Sequence, residues 1–126
     1  FPLLNYRIPG WTSRRYNLTG LYYWTVVYWA EVDPWTNPLT FMKQYNGDGS
    51  LFYPGGDAGI DGPVASMRLK ALRDGLEDYE YLVLAGAAGA EKAAAVAKSW
   101  TTWETDPAKV AEARDELARL ILEKKK

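Results

Sequence analysis

The stretch Gly47–Gly56, "GDGSLFYPGG", sets one short apolar run between two glycine-rich turns. Leu51-Phe52-Tyr53 is too short for a helix, and Phe and Tyr favour extended backbone. Asp-Gly before it and Pro-Gly-Gly after it are turn chemistry. The run is therefore predicted as a strand near residues 51–53, and its neighbours in sequence indicate what it joins.

Upstream, Leu18–Trp29 ("LTGLYYWTVVYW") is rich in β-branched and aromatic residues and reads as a strand over about 19–26. It is apolar on both parities, the pattern of a strand covered on both faces in a parallel sheet. The long loop between the runs, residues 30–49, contains Asp33-Pro34-Trp35 and Asn37-Pro38, and loops of such length inside a domain are often functional. Residues 1–17, interrupted by Pro2, Pro9 and Gly10, read as irregular.

Downstream the period changes. Asp61-Gly62-Pro63 provides a cap and a first-turn proline for a helix over 63–85. Leu69, Leu72, Leu76, Tyr79 and Val83 recur at spacings of three and four, so Leu72, Leu76 and Tyr79 are expected to be buried against the strands. Gly86 is a natural stop. An alanine-rich helix follows over about Ala90–Trp100. A last helix opens at Asp106-Pro107, with Val110, Ala113, Leu117 and Leu120 on one face and Lys124, Lys125 and Lys126 at the negative end of its dipole. Two strands make no stable sheet without a partner or a helical cover, so the order strand, loop, strand, helices implies part of a larger α/β sheet.

Composition narrows the chemistry. With 126 residues, 48% hydrophobic and 25% charged, the chain is long enough for one ordinary domain and too apolar for disorder. A net charge of −1 gives no pull toward nucleic acid or an anionic membrane, and no apolar run reaches transmembrane length. The chain does not open on Met and reads as a piece of a longer protein. Without Cys or His, disulfides, thiol catalysis and the commonest general base and metal ligand are excluded. Chemistry is left to carboxylates, tyrosines or groups on another chain, and no cofactor or metal is implied.

The aromatic residues are unevenly placed: Trp11, Trp24, Trp29 and Trp35 and most of the nine Tyr precede residue 54. A Trp and a Tyr at a strand end, followed by a Trp-bearing loop, suit stacking on the C–H face of a sugar; for any single ring, core packing is the commoner role. Glu77-Asp78 and Asp115-Glu116 lie within helical patterns, where neighbours point apart rather than flanking one bond, and read as solvated or ion-paired faces. The single carboxylate of "GDG" makes no calcium site. Arg14-Arg15-Tyr16 reads either as an anion contact or as ordinary surface, and the Asn17-Leu18-Thr19 sequon carries meaning only in a secretory setting.

Three segments in order, "GLYYW" with its trailing Trp29, "GDGSLFYPG" and "GPVASMRLKALRDGLEDYEYLVL", resemble the C-terminal part of the catalytic domain of glycoside hydrolase family 123, a family with many bacterial members of unknown function. The resemblance runs from about Trp11 to Leu84. It implies a (β/α)8 TIM barrel, of which residues 1–87 would supply the last two strands and closing helix, with 88–126 as a helical extension. It also implies hydrolysis of β-linked N-acetylgalactosamine, the substrate's acetamido group acting as nucleophile beside an adjacent Asp-Glu pair on an earlier strand. No Asp-Glu here follows an apolar strand, so no catalytic residue is assigned. Trp24 matches the strand-end Trp of the family and Tyr53 the Tyr of its "YPG" turn; with Tyr22, Trp29 and Trp35 they are the expected substrate contacts. The expected partners are a carbohydrate and either the rest of the barrel or another copy of the chain. A non-catalytic carbohydrate-binding or structural domain, and a partner-dependent interaction module, are the alternatives.

Overall fold

Asp106 starts the last helix as the sequence implies, its side chain accepting a hydrogen bond from the Ala108 N–H at 2.9 Å with Pro107 in the first turn. The computed structural model describes residues 2–29 and 32–124; Lys125 and Lys126 of the lysine tail lie outside the described residues, as do residues 30–31 at the head of the long loop. The main elements are α1 (Leu4–Arg15), β1 (Leu39–Thr40), α2 (Phe41–Gln44), β2 (Tyr45–Asn46), β3 (Phe52–Pro54), β4 (Pro63–Ala65), α3 (Met67–Leu84), α4 (Ala87–Val96) and α5 (Pro107–Glu123). They fall into two units, one of residues 1–21 and 71–126, the other of residues 22–70. None of the described helices is long and apolar enough to cross a membrane.

The first unit is helical. Ile8 and Trp11 of α1, Leu82 of α3, Ala93 and Val96 of α4, and Val110 and Leu117 of α5 share one buried cluster. Residues 4–15, expected to be irregular, are therefore helical despite Pro9. A mid-helix proline removes one backbone donor and crowds the preceding turn; burial of Ile8 and Trp11 on either side opposes that cost.

The buried face of α3 is only partly the expected one. It comprises Leu72, Gly75, Asp78 and Leu82, while Leu76 is 50% exposed and Tyr79 partly so. Glycine contact decides the rotation. A Cβ on Gly10 would lie 1.8 Å from the Gly75 carbonyl oxygen, and one on Gly75 would lie 2.3 Å from that of Arg7. The backbones of α1 and α3 thus touch through residues without side chains, and Leu76, about 100° round the helix from Gly75, turns away from that contact.

Helix ends in this unit are satisfied by basic side chains. Gly86, at φ 67° and ψ −123°, follows α3 in a conformation open chiefly to glycine and caps α4. Its carbonyl accepts from Arg14 Nη2 at 3.1 Å, and that of Ala85 accepts from Lys124 Nζ at 3.0 Å. Arg15 donates to the carbonyls of Ala94 and Ala97 at the end of α4. Arg15 thus binds carbonyls at the C-terminal end of α4, where the helix dipole favours a cation, whereas Arg14 reaches the N-cap carbonyl of α4.

The second unit is built from short antiparallel pairs. β1 pairs with β2, and β3 with β4 in the register Phe52↔Ala65, Tyr53↔Val64, Pro54↔Pro63. The run around residue 52 is thus a strand, but its partner is local. "PGGDAGIDG" is the tip of a β3–β4 hairpin, closed by Ile60 N–H to the Gly55 carbonyl at 3.0 Å. Pro63 accordingly lies in β4 rather than opening α3, which Ser66 caps by accepting from the Leu69 N–H at 3.2 Å. The strand expected at 19–26 does not form. Strand identity needs a ladder as well as propensity, and here Val26 O accepts from Leu51 N–H at 2.7 Å while the Tyr28 N–H donates to the Ser50 hydroxyl at 2.7 Å. A side chain takes the place of the next backbone partner. The architecture is mixed helix and strand.

Candidate functional site

Tyr53 lies between two tryptophans tied to the strand that carries it. Trp29 Nε1 donates to the Phe52 carbonyl at 2.7 Å and Trp35 Nε1 to the Pro54 carbonyl at 2.9 Å. Carbonyls two residues apart leave a strand on the same edge, whereas that of Leu51 leaves on the other and accepts from Ser66 N–H at 2.9 Å. The two indoles therefore line one edge of β3, at positions where a further strand would bond.

The Tyr53 ring centroid is 4.5 Å from that of Trp29, at 49°, and 5.0 Å from that of Trp35, at 45°. Tilted contacts of this kind suit the ring quadrupoles. Arg68 completes the cluster: its Nε donates to the Ser50 carbonyl at 2.7 Å, and its Cζ stands 5.7 Å from the Tyr53 centroid and 6.0 Å from that of Trp29. Its Nη2 is buried without a hydrogen-bond partner.

Exposure rises across the cluster. Trp29 is buried, Tyr53 partly buried and Trp35 43% exposed. Trp29, Pro34, Phe52, Tyr53, Pro54 and Gly55 are among the residues lining a cleft of about 470 Å³. Because both indole N–H groups are spent on β3, the tryptophans offer ring surface rather than hydrogen bonds. Such a wall suits contact with a flat, C–H-rich face and has no group placed to transfer a proton.

Of the expected contacts, Trp29, Trp35 and Tyr53 come together. Tyr22 and Trp24 are 85% and 76% exposed, and no ring contact joins them to the other three among the described residues. Arg68 and Asp33 were not singled out by sequence. Arg68 lies in the first turn of α3, and its aromatic neighbours are remote in sequence.

The carboxylates serve other ends. Asp78 is wholly buried and receives Arg7 and the Trp11 indole, Glu77 lies 3.5 Å from Arg73, and Glu116 pairs with Lys92. Lys92 holds Glu116 below the usual carboxylate range. Among the described residues, no group of three or more acidic side chains is arranged to hold a metal ion.

Residues 1–85 match the family model described as glycoside hydrolase 123, catalytic domain. A comparison with curated proteins found no match.

Proposed function

The chain belongs to the glycoside hydrolase 123 catalytic-domain family, and on that premise we propose that it forms the end of a (β/α)8 barrel acting on β-linked N-acetylhexosamine, of the N-acetylgalactosamine type. In this reading residues 1–87 are the terminal barrel segment and 88–126 an extension that completes its core, as the shared burial of Leu82, Ala93 and Leu117 supports. Trp29, Trp35 and Tyr53 contact the sugar, and Tyr22 and Trp24, open to solvent, complete the aromatic set. The acid/base pair comes from outside these 126 residues.

The observation that carries this reading is the half-exposed Trp35 ring held against Tyr53, which itself lines the cleft. Aromatic planes of this kind match sugar C–H faces. Holding the ring would align the acetamido group with the anomeric carbon, and misalignment alone can slow turnover greatly.

An assay of the purified chain with an aryl N-acetyl-β-galactosaminide tests the division of labour. No release of the aryl group is expected. Release that survives removal of trace contaminants would place the acid and base within the chain and end the proposal.

A further inference from the structure

We infer that Asp33 is a positioning residue that sets the Trp35 ring for sugar contact; the inference rests on the proposed sugar-binding role of the wall. Asp33 makes no ring contact of its own. Its Oδ1 accepts from the Trp35 backbone N–H at 3.0 Å, its Oδ2 from the Thr36 hydroxyl at 2.9 Å, and its carbonyl from the Asn37 N–H at 2.8 Å. These three bonds close residues 33–37 into a single capped turn, and Pro34 fixes one backbone angle within it.

An isolated turn has no helix behind it to hold its shape, since one turn fixes many dihedrals for few bonds. The Trp35 ring is thus held at two places: its backbone by the Asp33 carboxylate and its indole by the Pro54 carbonyl. Losing the first leaves one hydrogen bond and the Tyr53 contact to define the ring. Both Asp33 and Trp35 are exposed, so the consequence falls on the ring's order and not on a core.

Asparagine preserves the arrangement. Its amide oxygen accepts from the Trp35 N–H and its amide nitrogen donates to the Thr36 hydroxyl, which reverses its role. Alanine preserves neither bond.

The test follows the tryptophan Nε1–H signals of the full chain by NMR, free and titrated with N-acetylgalactosamine, in wild type, Asp33→Ala, Asp33→Asn and Trp35→Ala. Without sugar, Asp33→Ala is expected to speed solvent exchange at the Trp35 indole and leave that of Trp29 unchanged. With sugar, binding is expected to weaken on the order of tenfold in Asp33→Ala, to stay near wild type in Asp33→Asn and to vanish in Trp35→Ala. Unchanged Trp35 exchange and affinity in Asp33→Ala, with binding lost in Trp35→Ala, would overturn the positioning role and leave the wall standing. A wild-type chain that shows no response to the sugar would overturn the wall and this inference together. Loss of dispersed signals across the whole Asp33→Ala spectrum would also overturn it, by making Asp33 a residue of the fold.

Discussion

The Arg7 guanidinium holds both oxygens of the buried Asp78 carboxylate, Nε to Oδ2 at 2.5 Å and Nη2 to Oδ1 at 2.9 Å. Trp11 Nε1 donates to the same Oδ2 at 2.7 Å, and Arg114 Nε of α5 lies 3.0 Å from Oδ1. One carboxylate thus links α1, α3 and α5. The bond from Asp78 raises the Arg7 pKa above its ordinary value, against the opposing effect of burial. Arg7 therefore stays charged at any pH at which the fold is studied.

Removing one partner of such a pair strands the other's charge in the interior, which costs more than the pair contributes. Asp78→Ala is expected to destabilise the chain by about 3–5 kcal/mol, read from the urea midpoint and slope. A loss under about 1 kcal/mol would show that water takes the carboxylate's place.

Gly10→Ala and Gly75→Ala test the contact of α1 with α3. Alanine is favoured over glycine within a helix by up to about 1 kcal/mol. The added Cβ would sit 1.8 Å or 2.3 Å from a backbone oxygen, and overpacking of this sort costs about 1–3 kcal/mol or more. Net destabilisation by both substitutions is expected; stabilisation by either would mean that the helices separate freely.

Leu82 and Leu76 share one helix and differ in burial, fully buried against 50% exposed. Leu82→Ala is expected to cost about 2–5 kcal/mol and Leu76→Ala about 1 kcal/mol or less. Equal effects on the denaturation midpoint would contradict the orientation of α3.

Glu104 gives the fold an acid limb. Its carboxylate accepts from the Asp106 and Thr105 N–H groups at 3.1 Å and 3.0 Å, and these bonds, that of Asp106 foremost, lower its pKa. A lowered folded pKa adds stability that is present above the unfolded value and is lost as pH falls through the folded one. Stability should therefore decline from the pH of an ordinary glutamate downward, and Glu104→Gln should shallow that decline. Identical pH profiles would remove Glu104 from the cause.

Local chemistry made α5 legible: an Asp cap, a first-turn Pro and a clean apolar stripe sit next to one another in sequence. The end of α3 at Gly86 was legible for the same reason. The face of α3 was not, because its partner is a glycine in α1 and the contact leaves no apolar mark. α1 itself was hidden by Pro9 and Gly10, the second of which is needed for that contact. The strand over 19–26 had the propensity but not the ladder. In the candidate site, Trp29, Trp35 and Tyr53 stood out as aromatic residues near turns; Asp33 acts on residues beside it in sequence, a local turn of the kind Asp favours, whereas Arg68 acts through neighbours that only folding supplies.

The central claim, that Trp29, Tyr53 and Trp35 form a sugar-contacting wall, is tested most directly by titrating the wild-type chain and Tyr53→Ala with N-acetylgalactosamine and following tryptophan fluorescence. A saturable change in wild type that is lost in Tyr53→Ala, with the folded midpoints of both retained, is the expected result. No saturable change in wild type, or an equal one in Tyr53→Ala, would contradict the claim.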